Sequence, residues 1–539
     1  MQNLGGKLIE SYKRVDGKPL GERNPKWLQN DYVKFIRFAQ WKMDQVDEGV
    51  VGIITDNSFL DNATFRGMRQ SLMQTFNQIY VLDLHGNLEK KEKTPEGGKD
   101  QNVFDIKQGV CISLLVRKKG LDKKIFHADF WGKRQVKYHA CMEMDFDIAP
   151  WSEIYPTSPF YLFSPQNESQ RATYDKSWKV TEIFPINGAG MTTAHDDFVI
   201  NYDKQLLLKR FCTFRDSARN DELYKLFSVI KKKGWDILKA WDKFQKYNDS
   251  KIEEKILPIT YRPFDIRYII YDDYVVWRTV KQIMCNMLHK ENNIGILTTR
   301  ITKDDWSILV TENIIAHKAV SRYDIGYLFP LYLYNNPGNK KLNQNQINHL
   351  FVEEIQAQYN ERRENFAPKF RAFIDLKYGH HYEPEEILGY IYAVLHSPAY
   401  RQKYAGFLKI DFPRIPFVDD RKTFEALAAL GWALVQAHLL KDIPAQPRVE
   451  ITRGSDLVEK PTYNAPEQRL YINPQQYFAP VPADVWNFHI GGYQVLDKYL
   501  KSRKGRQLSL DEIENIINVV KVLRFTIDRM REIDEIWQP

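Results

Sequence analysis

The chain has 539 residues, 43% hydrophobic and 27% charged, and its 77 basic against 69 acidic side chains leave a formal net charge of +8. That composition describes a globular protein too long for one core, with room for roughly three domains, and the charge excess is too small to mark a nucleic-acid binder by itself. No run of about 18 apolar residues and no signal-peptide core occur, which argues against a membrane partner and makes the expected location cytoplasmic. The scattered Cys111, Cys141, Cys212 and Cys285 support neither a disulfide framework nor a zinc knuckle and read as buried thiols.

Residues 28–145 follow an α/β pattern. The periodicity predicts a helix in NDYVKFIRFAQWKM, a buried strand in VVGIIT, an amphipathic helix in FRGMRQSLMQTF, a strand in IYVLDL and a last strand in GVCISLLVRK. Between the last two strands runs a polar, glycine-containing loop, residues 85–108, and loops of that length inside a compact unit tend to be functional. From 146 to 335 short β-like segments alternate with aromatics, as in ITYRPFDIRYIIYDDYVVW, and the glycines of NGAG, 187–190, read as a loop. NNPGNKKLNQNQINH, 335–349, is the best linker by composition. Beyond it helical patterns dominate in EEILGYIYAVLHSPAY, KTFEALAALGWALVQAHLL and SLDEIENIINVVKVLRFTIDRMREI, where Ser509 is the expected N-cap and Glu512 its capping-box partner. The expected domains are 1–145, 146–335 and 336–539.

In an open α/β sheet ligands bind beyond the carboxyl ends of the strands, so the polar step Asp56, Asn57, Ser58 after VVGIIT marks a candidate pocket. No G-x-x-x-x-G-K-[ST] is present and no G-x-G-x-x-G follows a strand, which leaves a nucleotide-driven motor and a complete dinucleotide-type site unsupported. His380 and His381 are adjacent, point apart and read as a surface turn, and no metal site is expected. Three clusters mix bases with aromatics: KKIFHADFWGKRQVK at 123–137, VIKKKGW at 229–235 and KYLKSRKGR at 498–506. They fit phosphate and stacking surfaces as well as plain solvated faces. In YRPFDIRY, Arg262 and Arg267 flank Phe264 and Asp265, and Arg278 and Arg300 follow in β-like segments. Arginine suits bidentate contact with guanine and Lys303 suits phosphate, so all five are candidate DNA-binding residues. Arg262 and Asp265 also read as an ion pair that locks a turn.

NPKWLQNDYVKFIRFAQWKM, GVVGIITDNSFLDNATFRGMRQSL, IYVLDLHGN and NVFDIKQGVCISLLVRK together resemble consecutive motifs of the γ-class adenine-N6 DNA methyltransferases, in the large form of Type ISP and related single-chain restriction-modification enzymes. ITYRPFDIRYIIYDD, LHSPAYRQKYAGFLKIDFPRIPF and FHIGGYQVLDKYLKSRKGR are similar to the target-recognition and C-terminal specificity region of the same proteins. The resemblance spans nearly the whole chain. It implies a partial Rossmann-like methyltransferase sheet, then an α+β target-recognition domain and a mainly helical C-terminal specificity region. Of the family's strand order 3-2-1-4-5-7-6, with the seventh antiparallel, the chain would supply the fifth, sixth and seventh, leaving VVGIIT with an unpaired edge.

The family's glycine-containing strand-loop for S-adenosylmethionine and its Asn-Pro-Pro-Tyr loop have no counterpart here, since NPKW at 24–27 lacks the second proline and the tyrosine. The implied cofactor is therefore S-adenosylmethionine only if an N-terminal methyltransferase partner chain or missing segment is supplied, and no catalytic residue is assigned. The implied binding partner is double-stranded DNA. Asp56, Asn57 and Ser58 would rim the pocket for a flipped adenine, and Asp31 and Tyr32 would line the cofactor side. Phe104 matches the aromatic position that stacks on the extruded base; its other reading is an anchor of its loop to the core. The alternative function is a stand-alone DNA-binding specificity module, or an inactive remnant, without methyl transfer.

Overall fold

The structure, a computed structural model, describes residues 8–22, 25–88, 92–165, 168–232, 234–288, 293–334 and 362–539. The chain divides into two compact units, Met1–Ala172 and Thr173–Pro539. The expected linker at 335–349 and Asn24 of NPKW lie outside the described residues.

In the first unit helix α1 (Asp31–Met43) buries Val33, Ile36, Gln40 and Met43, which recur every three or four residues along one face. There follow β1 (Glu48–Asp56), α2 (Arg66–Thr75), β2 (Gln78–Asp83), β3 (Val110–Lys118), β4 (Lys124–Asp129), α3 (Arg134–Glu143) and β5 (Ser152–Ile154). The strands form one sheet in the order β1-β3-β2-β4-β5. β3 is antiparallel to both β1 and β2, while β2 and β4 run parallel and in register from Gln78↔Lys124 to Asp83↔Asp129. Phe59, Phe65, Met68, Leu72, Ile79, Val81 and Leu115 fill the core between this sheet and the helices. β1 is an edge strand with solvent on alternate residues, and Val50 and Ile54 are 64% and 51% exposed.

Only one of the four cysteines is the buried thiol expected. Cys111 is buried in β3, but Cys141 is exposed and Cys212 and Cys285 are half-buried. Cys141 lies on α3, a helix whose one buried side chain is Lys137.

The second unit contains β6 (Gly188–Ala189), β7 (Ile200–Asn201), β8 (Ile256–Arg262), β9 (Asp265–Ile270), β10 (Gly295–Thr299), β11 (Ile308–Thr311), β12 (Ile314–Ile315) and β13 (Gly326–Pro330). They pair as two four-stranded sheets, β7-β9-β8-β12 and β11-β10-β13-β6. NGAG is therefore not a loop: Gly188 and Ala189 pair with Leu328 and Tyr327 as an edge strand. Glycine is required there by close approach rather than by a turn, because a Cβ on Gly188 would stand 2.5 Å from Ile283 Cγ1.

Helices α4 (Pro384–His396), α5 (Arg421–His438), α6 (Val495–Lys501) and α7 (Leu510–Ile536) follow in the same unit, with further helices and a third four-stranded sheet of short strands between Glu450 and Ala479. α4 and α5 cross at Gly389 and Gly431, where the backbones touch: a Cβ on Gly431 would lie 1.8 Å from the Gly389 carbonyl oxygen. Ser509 caps α7 as expected, its Oγ accepting the Glu512 N–H at 3.2 Å while the Glu512 carboxylate accepts the Ser509 N–H at 3.0 Å. No helix among the described residues is long and apolar enough to cross a membrane.

Candidate functional site

In the first unit polar residues gather beyond the carboxyl ends of β1, β2 and β4. Asp56 closes β1, its Oδ1 accepting the Ser58 N–H at 2.7 Å and turning the chain into a short 3-10 segment. Asn57 is buried there; its Nδ2 donates to Asp83 Oδ1 at 2.9 Å and its N–H to the Gly109 carbonyl at 3.0 Å. Ser58 Oγ lies 3.2 Å from the Tyr32 hydroxyl, which burial keeps neutral by raising its pKa well above the usual phenol value. Asp56, Asn57, Ser58 and Tyr32 are thus brought together. Asp31 is not, since it points outward from α1 to Lys34 Nζ at 2.8 Å.

Polar atoms hold the described part of the 85–108 loop. Lys137, buried on α3, donates to the carbonyls of Leu84 and Gln101 at 2.6 and 2.8 Å and pairs with Asp100 at 2.8 Å. Asn102 Nδ2 donates to the Gly86 and Gln108 carbonyls, its Oδ1 accepts the Phe104 N–H at 2.8 Å, and Arg134 Nη2 donates to the Phe104 carbonyl at 3.0 Å. Val103 enters a small apolar cluster, and Phe104 is 44% exposed.

Beside Asn57 sits a cluster the sequence reading missed. The parallel register sets Asp129 next to Asp83. His85 places Nε2 2.8 Å from Asp129 Oδ1 and Nδ1 3.7 Å from Asp83 Oδ2, with its ring stacked 3.3 Å from that of Trp131. His127 places Nε2 3.0 Å from the same Asp129 oxygen and Nδ1 2.8 Å from the Phe163 carbonyl. A carboxylate and a carbonyl only accept, so the two contacts are satisfied together by the imidazolium form of His127, with hydrogen on both nitrogens. Burial opposes that charge, but Asp129 outweighs it and holds His127 above its ordinary pKa. Asp129, although burial pushes it up, is held well below the usual carboxylate range by His127 and His85. Donor atoms of Asp83, His85 and Asp129 lie within 4.8 Å of one another, close enough to share a cation, but the hydrogen bonds above already engage them. The available signal was the shared ending of IYVLD and KIFHAD, two alternating strands that each close on an aspartate.

In the second unit the β8–β9 hairpin carries YRPFDIRY. The expected Arg262–Asp265 pair does not form; Arg267, two residues along the same face of β9, takes Asp265 Oδ2 at 2.6 Å, and Arg503 takes Oδ1 at 3.0 Å. Arg262 instead lies 4.0 Å from the centre of the Tyr261 ring and donates to the Tyr261 carbonyl. Arg278 is exposed beside Trp277, its backbone bridged to Thr192. Arg300 Nε is 3.3 Å from Asp411 Oδ1, on a carboxylate shared with Lys179. Lys303 is exposed, and its N–H donates to Asp324 Oδ2 at 2.8 Å.

A family model described as the Type ISP C-terminal specificity domain matches residues 182–532. The chain belongs to that family. No curated protein matches. Among solved structures it is similar to the ATP-dependent Type ISP restriction-modification enzyme LlaBIII bound to DNA, at 20% identity and a TM-score of 0.73, over 100% of this chain and 36% of that one. It is also similar to the DrdV–DNA complex, at 20% identity and a TM-score of 0.72, over 98% of this chain and 54% of that one. A nuclease-deletion mutant of the Type ISP enzyme LlaGI with a DNA substrate mimic gives 18% identity and a TM-score of 0.68, over 97% and 42% of the two chains. At these identities the likeness is one of fold, and the chain spans between 36% and 54% of these solved chains. Arg262, Arg267, Arg278, Arg300 and Lys303 fall inside the Type ISP specificity span, whereas the residues around Asn57 and Phe104 precede it.

Proposed function

We propose that this chain is the C-terminal portion of a site-specific DNA adenine-N6 methyltransferase of a restriction-modification system. The second unit reads the DNA target, and the first supplies part of the catalytic domain. The observation that carries DNA recognition is the specificity-domain match over 182–532, on a fold shared with enzymes solved in complex with DNA. The strand order supports the methyltransferase part. β1-β3-β2, with β3 antiparallel to both neighbours, corresponds to the 5-7-6 run implied by the family resemblance, although the sheet does not end there: β4 and β5, two strands beyond the three expected, continue it past β2. β1 presents an edge unpaired among the described residues, with Val50 and Ile54 exposed on it and Phe35 and Phe38 exposed on α1, a surface suited to a preceding strand and its helix.

On this reading Phe104 offers a π-face to the extruded adenine, and Asp56, Asn57 and Ser58 stand at the rim of its pocket. On the cofactor side the chain offers Tyr32, tied to Ser58, while Asp31 pairs with Lys34 at the surface. These two residues do not make an S-adenosylmethionine site, so that site belongs to an N-terminal portion carrying the glycine-rich strand-loop and the Asn-Pro-Pro-Tyr loop.

The purified chain is expected to transfer no tritiated methyl group to unmodified duplex DNA, and to support transfer to adenine when co-expressed with such an N-terminal portion. Transfer by the chain alone would overturn the incomplete site. DNA binding without transfer in the combined preparation would favour the stand-alone specificity module.

A further inference from the structure

Around one buried ring of the second unit stand three cations, none of them held in an ion pair with a carboxylate among the described residues. Tyr493, 4% exposed, is fixed by its hydroxyl, which donates to the carbonyls of Lys318 and Ser321 at 2.9 and 3.1 Å. Three cations stand about its ring: Arg262 at 5.5 Å from the centroid, Arg322 at 5.9 Å and Lys498 of α6 at 6.0 Å.

The neighbouring carboxylates are hydrogen-bonded or paired to other groups, and only Asp304 stands beside the ring itself. Asp265 is taken by Arg267 and Arg503, and Glu512 by Arg503 and Arg506. Asp304 accepts from Ser321 Oγ at 2.7 Å and from the Arg322 N–H at 3.0 Å, so it fixes the backbone of Arg322 and leaves the guanidinium exposed. Asp324 accepts the Lys303 N–H. None of Arg262, Arg322 and Lys498 forms an ion pair with a carboxylate among the described residues, and Arg262 Nε is buried without a hydrogen-bond partner. Burial, and after it the guanidinium groups of Arg262, Arg267 and Arg322, hold the Lys498 ammonium below its usual value against the pull of Asp265.

All three cations stand within 6.0 Å of the centre of one fixed ring and none has a carboxylate partner among the described residues, so an anion that joins them offsets their mutual repulsion. Guanidinium forks match the two free oxygens of a phosphodiester, and an ammonium adds a point charge. We propose that Arg262, Arg322 and Lys498, set around Tyr493, form a clamp on the backbone phosphates of duplex DNA. The proposal rests on the reading of the second unit as a DNA-recognition unit. The clamp supplies grip and register and carries no base contact.

The test is fluorescence anisotropy of the full chain on its preferred duplex and on an unrelated one, across a range of salt concentrations. Arg322→Ala and Lys498→Ala should each lower the slope of log K against log salt by about 0.9, which is about an eightfold loss at about 0.1 M salt, equal on both duplexes. Lys498→Arg should restore the slope. Arg262→Lys, chosen because Arg262 also packs on Tyr261, should keep the slope. Inorganic phosphate should not displace the duplex beyond its contribution to ionic strength.

Unchanged slopes in variants of a chain that binds DNA normally would overturn the clamp and leave the functional reading standing. Loss confined to one base position would replace the clamp by base readout, and specific displacement by inorganic phosphate would replace it by a free-anion pocket. Failure of the unaltered chain to bind any duplex would sink the functional reading and the clamp with it.

Discussion

Phe104 and its neighbours divide two tasks between adjacent residues. Val103 supplies the apolar anchor, Asn102 ties the loop backbone through both atoms of its amide, and the Phe104 ring is left half exposed. Removing that ring therefore takes little from the loop. With an N-terminal portion supplied, Phe104→Ala should cut methylation by the value of one base stack, about 1 to 3 kcal/mol, while duplex affinity and thermal stability stay near those of the unaltered protein. A variant that unfolds, or that loses DNA binding outright, would return Phe104 to the role of loop anchor. Asp265 shows what a residue-level reading can overlook. Its partner within the hairpin is Arg267 on its own strand face, a signal available from the period of two, whereas Arg262 across the turn is the nearer match to a turn-locking motif.

At the scale of elements, the crossing of α4 and α5 turns on hydrogen atoms in place of methyl groups. Gly431→Ala would gain about 1 kcal/mol of helix propensity, but its Cβ would meet the Gly389 carbonyl at 1.8 Å, and backbone of a packed helix cannot step aside. Overpacking of about 1 to 3 kcal/mol or more should win, lowering the urea midpoint. Gly406, with nothing within 4 Å of its would-be Cβ, is the control: Gly406→Ala should leave the midpoint unchanged or raise it. Equal effects at the two positions would show that contact is not what selects glycine at 431. The spans of these elements were legible because their apolar residues recur with helical or strand period, and the Ser509–Glu512 box marked the start of α7. Pairings between elements were not. β4 itself reads from the sequence only as part of the basic and aromatic cluster at 123–137, and nothing in the spacing says that it lies beside β2, yet that register alone joins Asp83 to Asp129 and builds the histidine cluster. NGAG misled for the same reason: the contact that demands glycine comes from Ile283, far along the chain.

Across the whole molecule the buried histidines of the two units answer pH in opposite senses. In the second unit Tyr392 donates its hydroxyl hydrogen to His438 Nδ1. Thr526 donates its own to the Val522 carbonyl and so accepts from His438 Nε2. His438 is therefore neutral, and burial lowers its pKa from 6.5 to about 3. His396 beside it is likewise held well below 6.5, by burial and then by Arg401. An unfolded chain takes up these protons below pH 6.5 and the folded one does not, so His438 alone removes about 1.4 kcal/mol of stability for each unit of pH from 6.5 down to about 3. For His127 in the first unit the sign reverses: its folded pKa is raised, so its contribution is complete below 6.5 and is lost as pH rises through the raised value. Hydrogen exchange at about pH 7.5 and about pH 5.5, corrected for intrinsic rates, should show α4 and α5 peptides losing protection on acidification while β4 peptides keep or gain it. His438→Gln, whose amide can still donate to Thr526 but does not titrate, should lose part of the acid sensitivity of α5 at some cost in stability near neutrality. Protection in α4 and α5 that stays level between the two pH values would mean that His438 and His396 reach solvent when protonated, and the assignment of both as locked neutral core residues would fall.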